Sequence, residues 1–159
     1  KIAEVIGKVA QKIQNDYHDK KPLFIGVLNG SFLFAADLVR HFDGNCEVSF
    51  IKLASYEGTS STGTIQELIG FNESLEGRDI IVIEDIVDTG NTLERIYQDL
   101  EKRNPKSIAI ATLLFKPNAY KKSFPINYVA MEVGNEFLVG YGLDYDGLGR
   151  NLKDIYVVI

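Results

Sequence analysis

Ile2, Val5, Ile6, Val9, Ile13 and Tyr17 recur every three to four positions and predict a helix near 2–18 with one apolar face. Shorter apolar stretches follow and predict a strand near 23–28, a helix near 31–42, and strands near 46–54 and 64–71. Ile80 to Ile83 are four aliphatics in a row without alternation. Such a run suits a strand buried on both faces, predicted here near 79–84. From Thr92 the spacing changes: Leu93, Ile96, Tyr97 and Leu100 fall at i, i+3, i+4 and i+7, which predicts a helix near 92–103. Strands near 106–115 and 126–132 come next, and the end alternates Gly-rich turns with a strand near 154–159. Strands alternating with helices imply an α/β fold with a parallel core. At 159 residues, without internal repeats or low-complexity tracts, the chain is expected to form one domain over 1–159.

The junction at 80–92, Ile80-Ile-Val-Ile-Glu-Asp-Ile-Val-Asp-Thr-Gly-Asn-Thr92, joins a buried strand to a helix through a polar loop. In open α/β sheets, ligands sit at the carboxyl ends of strands. The first N–H groups of a helix lack partners and lie at the positive end of its dipole, so a phosphate is favoured there. Gly90 permits close backbone approach, and Thr89 and Thr92 offer hydroxyls. Glu84 and Asp85 are acceptors suited to the vicinal hydroxyls of a ribose or to Mg²⁺. Helix capping by Asp88 or Thr89 and a solvated strand end are the alternatives for these features taken singly.

The string from Val82 to Thr92 resembles the phosphoribosyl-pyrophosphate (PRPP) motif of the type I phosphoribosyltransferases. That motif leaves the acceptor base open. Leu113-Leu-Phe-Lys-Pro117, the stretch from Glu132 to Tyr145, and Arg150 resemble the hypoxanthine-guanine members, in order from about Phe24 to Ile159. The resemblance implies the type I fold: a mostly parallel twisted sheet flanked by helices, with a small hood from the chain ends. It implies Mg²⁺-dependent transfer of a phosphoribosyl group from PRPP to a 6-oxopurine.

Residue by residue, the resemblance assigns Glu84 and Asp85 to the ribose, and the loop Asp88, Thr89, Gly90, Asn91 and Thr92 to the 5′-phosphate. Asp88 is the candidate general base. Lys116, at the end of the apolar run Ile108 to Phe115, would donate to a 6-oxo group, so adenine would be rejected. Phe137 would stack on the base, Leu138 would offer backbone groups to its edge, and Ile86 and Asp144 complete the purine set. Glu84, Asp85 and Asp144 are the metal candidates. Arg150, a permanently charged planar fork, would bind pyrophosphate with Asn29 and Gly30. Many members carry lysine where this chain has Asn29, so one electrostatic contact is lost. The Gly-, Ser- and Thr-rich stretch from Ser55 to Gly63 reads as a mobile loop. Its Ser55-Tyr56 pair resembles a catalytic lid that excludes water.

Composition narrows the partners. Twenty-two acidic against 17 basic residues give a net charge of −5, which disfavours a nucleic-acid surface. Lys20-Lys21 and Lys121-Lys122 read as isolated, solvated pairs. Cys46 is the only cysteine, so no intrachain disulfide forms and a reducing, cytoplasmic setting is expected. It is expected to pack in the strand around Val48 and Phe50, and His18 and His41 are read as surface groups on helices. No apolar run reaches the ~18 residues of a membrane span and no signal-peptide pattern is present, so no membrane partner is expected. Because the helical pattern is under way from residue 2, a segment preceding Lys1 is expected. The resemblance also implies a homodimer or homotetramer. A xanthine-preferring enzyme and a non-catalytic PRPP- or nucleotide-binding regulator stay open as alternatives.

Overall fold

Successive side chains of strand β4 (Asp79–Val87) divide between two apolar layers, Ile81 and Ile83 entering one, Ile80 and Val82 the other. This division is what an unbroken aliphatic run requires of a strand with period two. The computed structural model describes residues 1–55, 65–71 and 73–159. Its other main strands are β1 (Leu23–Leu28), β2 (Glu47–Ser55), β3 (Ile65–Ile69), β5 (Ser107–Phe115) and β6 (Tyr128–Glu132). They form one six-stranded sheet in the order β3-β2-β1-β4-β5-β6, parallel except for β3.

Helices α1 (Ile2–Tyr17) and α2 (Phe32–Val39) cover one face, burying Ile6, Val9, Ile13, Phe34 and Leu38 against Phe24, Ile81 and Ile83. Helix α3 (Asn91–Glu101) covers the other with Leu93, Ile96 and Leu100, the face its periodicity predicts. A two-stranded antiparallel sheet, β7 (Leu138–Val139) with β8 (Tyr156–Val157), lies beyond the main sheet. Ile2 and Ile155 pack on the same core, so the two chain ends meet as a small hood.

Three boundaries differ from the sequence reading. Strand β4 runs on to Val87, so Glu84 and Asp85 lie within the strand. Its pairing continues because β5 stays apolar to its end, with Ile86 opposite Leu114 and Val87 opposite Phe115. Helix α2 stops at Val39, because the chain tightens there (Phe42 N–H to Val39 O, 3.0 Å) and turns the Phe42 ring edge-on to Phe24. Cys46 precedes β2 and is half-buried against the core, where burial pushes its thiol pKa up. His18 and His41 are exposed, just beyond the ends of α1 and α2.

The chain leaves β1 for β2 and β3 and then returns to β4 on the other side of β1. The crevice beyond β1 and β4 is therefore a topological switch point, where α/β sheets bind ligands. The sheet that holds it tolerates little loss of volume. Ile81, fully buried, should cost about 0.5–1.5 kcal/mol when shortened to valine. Denaturant unfolding reads this directly, and an Ile81→Val protein as stable as the parent would contradict the packing.

Candidate active site

Gly90 takes φ +91° immediately before α3, a backbone conformation open chiefly to glycine. With no side chain at this N-cap, the first amides of α3 keep their donors for something else. The Asn91 N–H only grazes the Thr89 hydroxyl at 3.4 Å. The segment Glu84 to Leu93 forms one wall of a cavity of about 300 Å³, bounded opposite by Val27, Leu28, Gly30, Leu53, Asp144 and Arg150. Thr89, Asn91 and Thr92 are exposed to it, while Gly90 is buried.

Two acids lie deep in this cavity. Burial first, and the charge of Asp85 second, push the Glu84 carboxyl well above the usual carboxylate range. Asp85 is also raised, chiefly by burial. The Ile86 N–H (2.8 Å to Oδ1) and the Arg150 charge draw it down, and Asp144 raises it further. Gly30 comes so close that a Cβ there would strike the Asp85 carboxylate, so any side chain at this position would have to displace that acid. Two buried carboxyls thus share one cavity, and hydroxyl donors or a cation would favour their ionised form.

That clustering has a cost in stability. A carboxyl with a raised folded-state pKa contributes stability that is full below the usual carboxylate range. The contribution is lost as pH rises through the raised value. Glu84→Gln should therefore melt higher than the parent at neutral pH without ligand, and its stability should fall less steeply between acid and neutral pH. Parallel melting curves for the two proteins across that range would refute the assignment.

Lys116 follows β5 directly and is buried, 7% exposed. Its backbone N–H donates to Val87 O (2.9 Å), and its Nζ lies 3.3 Å from Asp88 Oδ2. Adjacent strands thereby put a fixed donor beside a fixed acceptor at the rim of the cavity. Arg150 donates from Nη1 to Gly142 O (2.7 Å), and its Nη2 lies 3.4 Å from Asp144 Oδ1. The second oxygen of Asp144 accepts from the Gly147 N–H at 2.8 Å.

Not every residue singled out from the sequence converges. Asn29 follows a cis Leu28–Asn29 bond, is exposed, and neighbours the cavity through Gly30. Phe137 is 57% exposed and meets Tyr145 edge-on, while Ile86 and Leu138 pack partly on the core. Ser55 ends β2, and Tyr56 lies outside the described residues. Among the described residues no three His, Cys, Asp or Glu side chains gather as a metal group. Glu84, Asp85 and Asp144 line one cavity without forming such a group, and Asp144 is engaged by Arg150 and the Gly147 N–H.

Sequence reasoning also missed neighbours of the loop. A Cβ on Gly90 would lie 2.7 Å from the Tyr120 ring and 2.8 Å from Lys122 Cγ. Lys122, read as solvated, is half-buried and pairs with Glu94 at 3.2 Å. A doublet of lysines carries no sign of this, because the partner lies 28 residues away on another element.

Residues 1–146 match the phosphoribosyl transferase domain family. The hypoxanthine-guanine phosphoribosyltransferase of Streptococcus pyogenes serotype M3 is 42% identical over 152 residues, 95% of this chain and 84% of that protein. The crystal structure of a Bacillus anthracis hypoxanthine-guanine phosphoribosyltransferase superposes with a TM-score of 0.93 at 36% identity, covering 99% of this chain and 94% of that one. A mutant Trypanosoma cruzi hypoxanthine phosphoribosyltransferase complexed with the product IMP gives a TM-score of 0.92 at 36% identity, covering 100% of this chain and 86% of that one.

Proposed function

The chain belongs to the hypoxanthine-guanine phosphoribosyltransferase family, and from that premise we infer that it is a purine-salvage enzyme. It transfers the phosphoribosyl group of PRPP to hypoxanthine or guanine, giving the purine ribonucleotide and pyrophosphate. The observation that carries the assignment of roles is the Lys116–Asp88 pair, 3.3 Å apart at the edge of a cavity walled by residues 84–93. A 6-oxopurine carries its oxygen and an imidazole nitrogen side by side on one edge. A donor next to an acceptor matches that edge when the nitrogen is protonated. Adenine would present an amino donor to the Lys116 ammonium, so two donors would face each other with no acceptor between them.

In this reading the N–H groups of the loop Asp88 to Thr92, with the hydroxyls of Thr89 and Thr92, anchor the 5′-phosphate. Glu84 and Asp85 accept the ribose hydroxyls. Arg150 and the backbone at Asn29-Gly30 hold pyrophosphate, and Ile86, Phe137, Leu138 and Asp144 shape the purine pocket. As the bond between the anomeric carbon and pyrophosphate breaks, the sugar gains oxocarbenium character and the purine nitrogen closes on it. Asp88 takes the proton released from the purine imidazole. Holding base and sugar in line supplies much of the rate.

The clustered acids fit Mg²⁺, which favours one or two carboxylates together with substrate oxygens and waters. Glu84 and Asp85 would hold it, with Asp144 nearby. With Mg²⁺ held by these residues, the charge of the leaving pyrophosphate would be offset. Among the described residues no helix is long and apolar enough to cross a membrane. We also infer a single phosphoribosyltransferase domain that assembles as a homodimer or homotetramer, which light scattering tests. A monomer mass would refute the assembly.

Pyrophosphate release from PRPP and Mg²⁺, with hypoxanthine, guanine, xanthine and adenine compared separately, tests the function. Release with hypoxanthine or guanine and none with adenine is expected. Binding of PRPP without release on any base would favour a nucleotide-binding regulator, and a dominant rate on xanthine would change the named substrate.

A further inference from the structure

We propose that Lys122 is a positioning residue for the 5′-phosphate, acting by neutralising Glu94 beneath the phosphate-anchoring loop. The proposal rests on the reading of Asp88 to Thr92 as that loop. Glu94 lies in the first turn of α3, and its N–H donates to Gly90 O at 2.8 Å. An acid in this turn stabilises the empty helix, since it faces the positive end of the dipole. The same charge opposes a phosphate arriving at the same amides.

Lys122 answers that charge. Its Nζ lies 3.2 Å from Glu94 Oε1, and its side chain is only 17% exposed. A Cβ added at Gly90 would meet Lys122 Cγ at 2.8 Å, so the aliphatic stem passes against the turn. This is a built position, held from both sides. The Lys121 N–H donates to Thr89 O at 3.3 Å. Tyr120, whose ring also covers Gly90, donates its hydroxyl to Phe124 O at 2.6 Å. Phe124 stacks in turn on Tyr97 of α3, with ring centroids 4.6 Å apart.

The consequence is electrostatic. With Lys122 present, Glu94 is compensated and the amides at the start of α3 present their positive end to the phosphate. Without it, the loop keeps its shape and gains an uncompensated negative charge one helical turn from the ligand. The strap that delivers this cation starts at Lys116, which faces the base. One short segment thereby serves both ends of the nucleotide.

The test is Lys122→Met, which keeps the stem and removes the charge, alongside Lys122→Arg, Glu94→Gln and the Lys122→Met/Glu94→Gln double variant. IMP affinity is measured by calorimetry, and KM is measured for PRPP and for hypoxanthine. For Lys122→Met, IMP affinity should fall roughly five- to tenfold. KM for PRPP should rise to match, by more than kcat falls, with KM for hypoxanthine unchanged. Lys122→Arg should bind IMP like the parent, the double variant should recover most of the loss, and Glu94→Gln alone should bind IMP more tightly. Unchanged IMP affinity in Lys122→Met would overturn the proposal. So would an equal rise in KM for hypoxanthine, a double variant as weak as the single one, or weaker binding by Glu94→Gln. A parent protein that does not bind IMP at all would instead overturn the phosphate-loop reading itself.

Discussion

Replacing Asp88 by asparagine should lower turnover by about 10²–10⁴-fold, the usual worth of a general base. KM for PRPP should change far less. The reason is geometric. Asp88 lies at the exposed rim of the cavity, between the strand end and the loop, and its Oδ2 is 3.3 Å from Lys116 Nζ. Asparagine keeps the size and one acceptor oxygen, so the loop amides still meet the phosphate. It cannot take a proton from the purine imidazole. Steady-state kinetics separate the two effects. Equal losses in turnover and PRPP affinity would make Asp88 a binding residue, and no loss would remove it from the mechanism.

Lys116→Met should have the second largest effect, on the base. Methionine matches the length of the lysine stem but offers no donor, and a hydrogen bond to a charged group is worth about 1.5–3 kcal/mol. KM for hypoxanthine should therefore rise about 10- to 150-fold. The rate ratio of hypoxanthine over adenine should fall, because the amino group of adenine no longer faces a cation. KM for PRPP should be nearly unchanged, since Lys116 is buried and outside the lining of the cavity walled by residues 84–93. A rise in KM shared equally between hypoxanthine and PRPP would show that Lys116 supports the whole site and does not read the base.

Some of this was legible in the chain and some was not, for physical reasons. Ile80 to Ile83 and the spacing of Leu93, Ile96 and Leu100 are local patterns, and both elements form where those patterns put them. The end of β4 was misjudged because two acids interrupt the apolar run. The strand persists through them by pairing with β5, and nothing in residues 84–87 reveals that partner. Of the small sheet, β8 falls inside the strand predicted near 154–159, whereas β7 has two residues, too short for any period to register. The segments around Lys116 and Asp88 to Thr92 were legible as motifs, but their connections were not. Lys116 reaches Asp88 and Lys122 reaches Glu94 across 28 residues each, and only the adjacency of β4 and β5 brings them together. Gly30 was singled out as a donor of backbone groups. Its second role, leaving room for the Asp85 carboxylate, needed the switch point between β1 and β4.

The most direct test of the central claim is a crystal structure of this protein with bound IMP. The 5′-phosphate is expected on the amides of residues 88–92, the ribose hydroxyls on Glu84 and Asp85, and the 6-oxo group on Lys116 Nζ. A phosphate bound elsewhere, or a purine whose oxygen points away from Lys116, would contradict it.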